Sequence, residues 1–266
     1  MTAGLLDGLP LLLIGSAIFL ALSGAVAVGY HGKLWFERRS DPQPGKTTRP
    51  DHLLSAALGL LALFLGFSFS MALNRYDTRR DLVVQEANAL GTTWLRIQIL
   101  EETDRLAMSR LLEQYVDARL KWSEAGEAPL DDAATLALQG ELWTAMGLAL
   151  RGESPPLLAR GVMDSLNESF DLAIERQAAR SAHIPDPVLI VLLVYAVLSM
   201  IMMGSLLAAN RQPHRVETLL LTLLLTLAHV VILDLDRPRN GAIQVSQQPM
   251  EELQSSISRQ VRAGAS

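Results

Sequence analysis

Four long apolar runs separated by polar stretches organise this chain. They are Leu9 to Gly29, Leu53 to Leu73, Pro187 to Ala209 and about Val216 to Leu235. Each approaches the ~20 residues that an α-helix needs to cross hydrocarbon. Lipid offers no partners for backbone N–H and C=O groups, so runs of this kind are read as helices. The flanking residues agree. Pro50 breaks what precedes the second run, and Asp51 is placed to cap it. Asp186 and Pro187 open the third as an N-cap followed by proline at the first helical position, where its missing N–H costs nothing. Asn210, Arg211 and Pro213 end that run. No Lys or Arg precedes the first run, only Asp7, and the run is too long for a signal-peptide core, so it reads as a retained helix.

The runs pair as two hairpins. The first link, His31 to Asp51, is proline-rich and basic; the second, Asn210 to Arg215, is a tight turn. Nothing after Leu73 stops a helix, so the second span is expected to continue into solution. The polar stretch Asn74 to Pro185 has a helical pattern. Val83, Ala87, Leu90, Trp94 and Ile97 form a heptad stripe, and Leu112, Val116 and Leu120 continue an apolar face further on. Gly126 and Pro129 interrupt it. A second helix is expected to pack Leu136, Trp143, Met146 and Leu150. After a break at Gly152, Pro155 and Pro156, a third packs Val162, Leu166, Phe170 and Ala173. The tail is irregular over Gly241 to Pro249, with a short helix over Met250 to Arg262. The predicted fold is therefore all-α and polytopic, with four transmembrane helices. Residues 1–74 form the first hairpin, 75–185 a helical insertion, 186–237 the second hairpin and 238–266 a polar tail.

Composition supports this reading. Of 266 residues, 50% are hydrophobic and only 19% charged, where a soluble domain carries about a quarter charged. A net charge of -5 argues against nucleic acid as a partner. With no cysteine, the chain has no thiolate metal site, disulfide or catalytic thiol. The five histidines, His31, His52, His183, His214 and His229, show no metal-ligand spacing. Gly66-Phe-Ser-Phe-Ser70 is not a nucleophile elbow, and there is no phosphate-binding glycine loop. Glu101–Glu102 and Asp131–Asp132 read as solvated faces or helix starts. No catalytic residues, cofactor or metal are expected, and the chain does not read as an enzyme. Orientation is undecided by charge. Lys33, Arg38, Arg39, Lys46, Arg49, Arg211 and Arg215 on one side balance Arg75, Arg79, Arg80, Arg176, Arg180, Arg237 and Arg239 on the other.

The membrane runs carry the candidate chemistry. In the first, Ala17, Ala21, Ala25 and Gly29 recur every four residues, a seam for close helix packing. In the second, Gly66, Ser70, Asn74, Asp77 and Asp81 form a small-to-polar face, beside a bulky one of Leu60, Phe64, Phe67 and Met71. Such faces either pack on neighbours and lipid, or line a pore whose apolar ring gates by dewetting. In the fourth, Thr218, Thr222, Thr226 and His229 share one face. Threonine hydroxyls bond back to the helix, whereas an intramembrane His is a functional candidate by default. Three clusters sit at one membrane edge: Asn74–Asp77 with Arg79 and Arg80, His183–Pro187, and Asp234–Arg239. Asp236 or Asp77 is expected to pair there with Arg75, Arg79 or Arg237.

Gly66-Phe-Ser-Phe-Ser-Met-Ala-Leu-Asn-Arg-Tyr-Asp77, then Val84-Gln-Glu-Ala-Asn88 and Gly91-Thr-Thr-Trp94, resembles the bacterial bestrophin-like membrane family. His183-Ile-Pro185, Leu235-Asp-Arg-Pro-Arg-Asn-Gly241 and Val245 to Pro249 are similar to the same family. The likeness covers most of the chain beyond about residue 50. Where that family often has Phe after Pro238, this chain has Arg239. The family is distantly similar to the bestrophin anion channels, mostly pentamers whose neck is lined by apolar residues of the second span. The resemblance implies Phe64, Phe67 and Met71 as neck candidates, and the two stripes of the second span add Leu60, Ser70 and Asn74 as pore candidates. It also implies an inner-membrane homo-oligomer passing an inorganic anion such as chloride, with the insertion and both termini cytoplasmic. Two other readings stand beside it. One is a non-conducting scaffold or sensor whose insertion docks a cytosolic partner, with Val83 to Ile97 as its oligomer seam. The other is a proton-coupled transporter using His229.

Overall fold

The computed structural model describes residues 10–39, 51–124, 133–152, 154–210, 214–237 and 241–264. Asp7, the link residues Lys46, Arg49 and Pro50, the break at Gly126 and Pro129 with Asp131 and Asp132, Arg211, Pro213, Pro238 and Arg239 lie outside them. Among the described residues all regular structure is helical: α1 Leu11–Arg39, α2 Asp51–Ile97, α3 Glu102–Glu124, α4 Ala133–Ala149, α5 Pro156–Ser181, α6 Asp186–Asn210, α7 Arg215–Asp236 and α8 Gln248–Gly264. Four stretches are long and apolar enough to cross a membrane; they contain α1, α2, α6 and α7. The second predicted span does continue as one uninterrupted helix of 47 residues.

The chain divides into two compact units, residues 1–76 with 183–244, and residues 77–182 with 245–266. In the first, Ile14, Ile18, Leu22 and Ala25 of α1 pack with Leu61 and Ala72 of α2, Leu192, Ala196 and Met200 of α6 and Ile232 of α7. The outward faces are as apolar as the core, with Leu12, Leu20, Val191, Val194, Leu220 and Leu224 all exposed. That inversion of the soluble pattern belongs to helices solvated by lipid. α1 and α6 meet backbone to backbone. A methyl added at Gly29 would run into the Ile201 carbonyl, and one at Gly204 into the Val26 carbonyl. The predicted small-residue seam is therefore half right. Ala25 and Gly29 are buried in it, while Ala17 and Ala21 are exposed. Their places at the contact are taken by Ile14, Ile18 and Leu22, because the buried face is rotated from the alanine stripe. The missing partner in the sequence reading is Gly204.

α1 also outruns its apolar run. His31 to Arg39, expected as link, are helical, with Lys33 and Glu37 paired at 3.4 Å and Arg39 stacked over Trp35 at 4.0 Å. Arg38 and Arg39 in the last turn complement the helix dipole.

The second unit is a water-type helical bundle. Val83, Leu90 and Ile97 of α2 share one core with Met108, Leu112, Tyr115 and Val116 of α3, Leu142 and Met146 of α4, Val162 and Leu166 of α5, and Met250 and Ile257 of α8. Two expectations fail here. The apolar face running on past Ile97 is not continuous, because the chain turns at residues 98–101 before α3. No Gly or Pro marks that turn. Its signal is acidic: Glu102 and Asp104 occupy the first turn of α3, where negative charge suits free N–H groups. In α4 the buried face is Thr135, Leu142, Met146 and Ala149, while Leu136, Trp143 and Leu150 are exposed. Only Met146 was placed correctly. Gly152, Pro155 and Pro156 do separate α4 from α5, where Pro156 starts the helix.

Candidate functional site

Along the membrane half of α2, burial is confined to one narrow strip: Leu54, Leu61, Ser68 and Ala72, spaced seven, seven and four apart. The rest of the surface is open. Leu60, Phe64, Phe67 and Met71 are all exposed, with Phe67 the most so at 62%. Ser70 and Asn74 are exposed too, as are Asp77 and Asp81 on the same stripe. One aromatic contact is fixed within the chain, an edge-on approach of Phe64 to Tyr195 of α6 at 5.6 Å. The two sequence-predicted stripes are thus both present on α2, and both are exposed on the single chain.

The polar face of α7 closes on itself. The Thr222 hydroxyl donates to the Thr218 carbonyl at 2.8 Å, Thr226 to Thr222 at 2.8 Å, and the His229 ring Nδ1–H to Leu225 at 2.7 Å. Thr222, Thr226 and His229 are all buried. Hydroxyls bonded back to the i−4 carbonyl are satisfied locally. That leaves the two threonines no exposed hydroxyl to offer a permeating ion.

The end of α7 is a clasp. Asp234 accepts the backbone N–H groups of Ala242 at 2.8 Å and Ile243 at 3.3 Å. A Cβ at Gly241 would overlap the Asp234 carboxylate, so a side chain there would require that carboxylate to shift. Asp236 accepts the Ile184 N–H at 2.9 Å, and its other oxygen lies 3.6 Å from the His183 ring, whose Nδ1 also meets the Asp236 carbonyl at 3.1 Å. Both carboxylates are buried. Asp236 was expected to face an arginine; its contacts here are a backbone amide and an imidazole. The same edge holds Arg237, buried, and Arg75, half-buried.

Sequence reasoning passed over a charge network in the second unit. Glu86 of α2 is fully buried and takes one hydrogen bond from Arg119 of α3 and one from Arg176 of α5, each at 2.5 Å. Arg176 also donates to Gln247. Trp122 is flanked by Arg119 at 4.3 Å and Arg180 at 4.6 Å, and Arg180 donates to the Trp122 carbonyl. Burial alone would raise the Glu86 carboxyl, but the charges and hydrogen bonds of Arg119 and Arg176 outweigh it and hold the group below its ordinary value. The only sequence signal was a glutamate inside the apolar stripe, next to Ala87. α8 is tied to the same bundle through Trp94 Nε1 to Gln260 at 2.9 Å, Gln254 to Asp117 at 2.9 Å and Ser258 to Glu113 at 2.7 Å. On the opposite side of α2, Gln85, Asn88 and Thr92 face Asp164, Glu168, Asp171 and Glu175 of α5 across an open, carboxylate-rich groove.

A family model described as a bestrophin-like domain matches residues 24–250. Solved structures similar to this chain include a bacterial bestrophin homologue from Klebsiella pneumoniae, in several forms. A tryptophan-to-alanine mutant is 16% identical, with a TM-score of 0.65, covering 94% of this chain and 96% of its own. A leucine-to-threonine mutant is 15% identical, with a TM-score of 0.64 over 93% and 97%. A form phased on zinc is 14% identical, with a TM-score of 0.63 over 92% and 96%. At such identities the likeness is one of fold. No curated protein sequence matches the chain.

Proposed function

Because the chain belongs to the bestrophin-like family, we propose that it is a homo-oligomeric ion channel of the inner membrane, pentameric by analogy, with α2 lining the pore. By the same analogy the permeant ion is an inorganic anion such as chloride, and the insertion and both termini are cytoplasmic. The observation that carries the reading is the openness of α2. A helix buried along Leu54, Leu61, Ser68 and Ala72 alone has most of its circumference left for lipid or for other copies. One chain cannot enclose a wet path with it. Several copies related by rotation bring Leu60, Phe64, Phe67 and Met71 together as an apolar neck, with Ser70 and Asn74 beside it.

A second reading concerns the ion. The polar stripe of α2 continues through exposed Asp77 and Asp81, and carboxylates repeated around a symmetric path favour cations over anions. The test is therefore flux of both chloride and sodium into liposomes holding purified protein, after its mass in detergent gives the number of copies. Widening the neck by Phe67→Ala is expected to raise flux. Unchanged conductance and selectivity in Phe64→Ala and Phe67→Ala would remove the neck assignment. No flux of either ion at several pH values would favour the scaffold reading. That reading has lost its proposed seam, since Val83, Ala87, Leu90, Trp94 and Ile97 are all buried within one chain.

A further inference from the structure

α1 runs on past its apolar stretch as a helix from Tyr30 to Arg39, and its neighbours fix the depth of that extension. α1 and α6 run in the same direction, with Leu13 to Ala21 beside Leu189 to Leu193, and Gly29 against Ile201. Ala209, the last apolar residue of α6, is therefore level with Glu37. α7 returns the other way, with Val230 against Gly15, so Arg215 at its start is level with Tyr30. The apolar end of this unit thus falls between Tyr30 and Glu37, about 10 Å of helix. That matches a headgroup layer, which is ~5–8 Å thick at each face of a bilayer. We infer that this end of α1 is a binding surface for anionic phospholipid, with Arg38 and Arg39 on the lipid phosphate.

The side chains at that depth suit such a lipid. Trp35 is 56% exposed and Phe36 63%. In the headgroup layer an indole keeps its ring among acyl chains and its N–H toward water. Trp35, Arg38 and Arg39, at i, i+3 and i+4, share one exposed face of the helix. That face is turned away from Leu22, Ala25 and Gly29, by which α1 packs. The one acidic side chain of the extension, Glu37, is paired with Lys33 at 3.4 Å and neutralised within the helix. Arg38 and Arg39 therefore leave this end positive. Arg39 lies over the Trp35 ring at 4.0 Å, which orients its guanidinium beside the indole. A guanidinium meets a phosphate with two parallel hydrogen bonds. A zwitterionic lipid brings its own cation to that phosphate, whereas an anionic lipid leaves the charge for the protein. The surface is independent of any pore, since α2 takes no part in it.

The experiment places the full-length protein in phosphatidylcholine vesicles with lipids brominated near the top of their acyl chains. Trp94, Trp122 and Trp143 belong to the second unit, so the fluorescence lost in Trp35→Phe isolates Trp35. Brominated lipid is expected to quench that component. At equal mole fraction and low salt, brominated phosphatidylglycerol should occupy the surface about five- to twentyfold more readily than brominated phosphatidylcholine, the ratio that two arginines supply. The preference should shrink in half-molar salt. Arg38→Gln with Arg39→Gln should bring it near one while quenching persists. Equal quenching by the two lipids in the wild-type protein would overturn the proposal without any variant. So would a Trp35 component that no brominated lipid quenches, or a preference unchanged in the double variant. Loss of the preference to inorganic phosphate at constant ionic strength would mean a site for the free anion, and would overturn the lipid assignment.

Discussion

Replacing Glu86 by glutamine keeps the side chain's size and removes its charge. The wild-type carboxylate is 0% exposed and holds two guanidiniums that are themselves 3% and 6% exposed, Arg119 and Arg176. After the change a single amide oxygen faces two buried cations, and its NH2 group points a donor at a donor. Breaking a buried ion pair from one side costs about 3–5 kcal/mol, because the partner is left charged and dry. The stacking of Arg119 on Trp122 survives the substitution and offsets part of this, which places the expectation toward the lower figure. At about 2–4 °C per kcal/mol for a chain of this size, the melting temperature should fall by roughly 6–15 °C. Intrinsic fluorescence is a suitable assay, since Trp94 and Trp122 are both buried and Trp122 lies against Arg119. The pH dependence has a defined sign. The folded Glu86 carboxyl lies below its ordinary value of 4.5, so its contribution is complete above that pH and is lost as pH falls below it through the folded value. The glutamine variant should lack that acid-limb component. A melting temperature within about 2 °C of wild type would refute the reasoning, because it would mean that the two arginines do not depend on Glu86.

Three further outcomes follow from the packing. Gly204→Ala should cost about 1–3 kcal/mol, since the methyl meets the Val26 carbonyl and backbone cannot give way; Gly24→Ala, with open space at its Cβ, serves as the neutral control in the same thermal melts. Asp236→Ala strands the buried Ile184 N–H and should cost about 1–3 kcal/mol, with Asp236→Asn recovering most of it; protease cutting near residues 182–185 reports the loosened turn. Leu142→Ala should cost about 2–5 kcal/mol and Leu136→Ala under about 0.5, and chemical denaturation of the pair checks which face of α4 is inside.

The spans were legible because lipid imposes a length and a composition, and α6 and α7 lie within one or two residues of their apolar runs. The inward face of α4 was not legible. That helix carries Leu136, Leu138, Leu142, Trp143, Met146 and Leu148, apolar nearly all round, so periodicity gives no direction. The turn between α2 and α3 was missed because its cause is a charge preference at a helix start rather than a Gly or Pro. The α1–α6 contact needed Gly29 and Gly204 to be seen together, 175 positions apart in the chain. The Glu86 network had the same difficulty, since its arginines come from two other helices. Of the candidate site, sequence gave both stripes of α2. It did not show that Asp234 and Asp236 hold backbone, because an acceptor's partner amide has no residue type to read.

Those two carboxylates also set an order of events during synthesis. Asp236 closes on Ile184, which has already left the ribosome when α7 is made. Asp234 must wait for Ala242 and Ile243, eight and nine residues later. A nascent chain stopped between them carries a second carboxylate with no amide to receive. The end of the last span is thus completed by residues that follow it in the chain, with Gly241 leaving the room that the Asp234 carboxylate occupies.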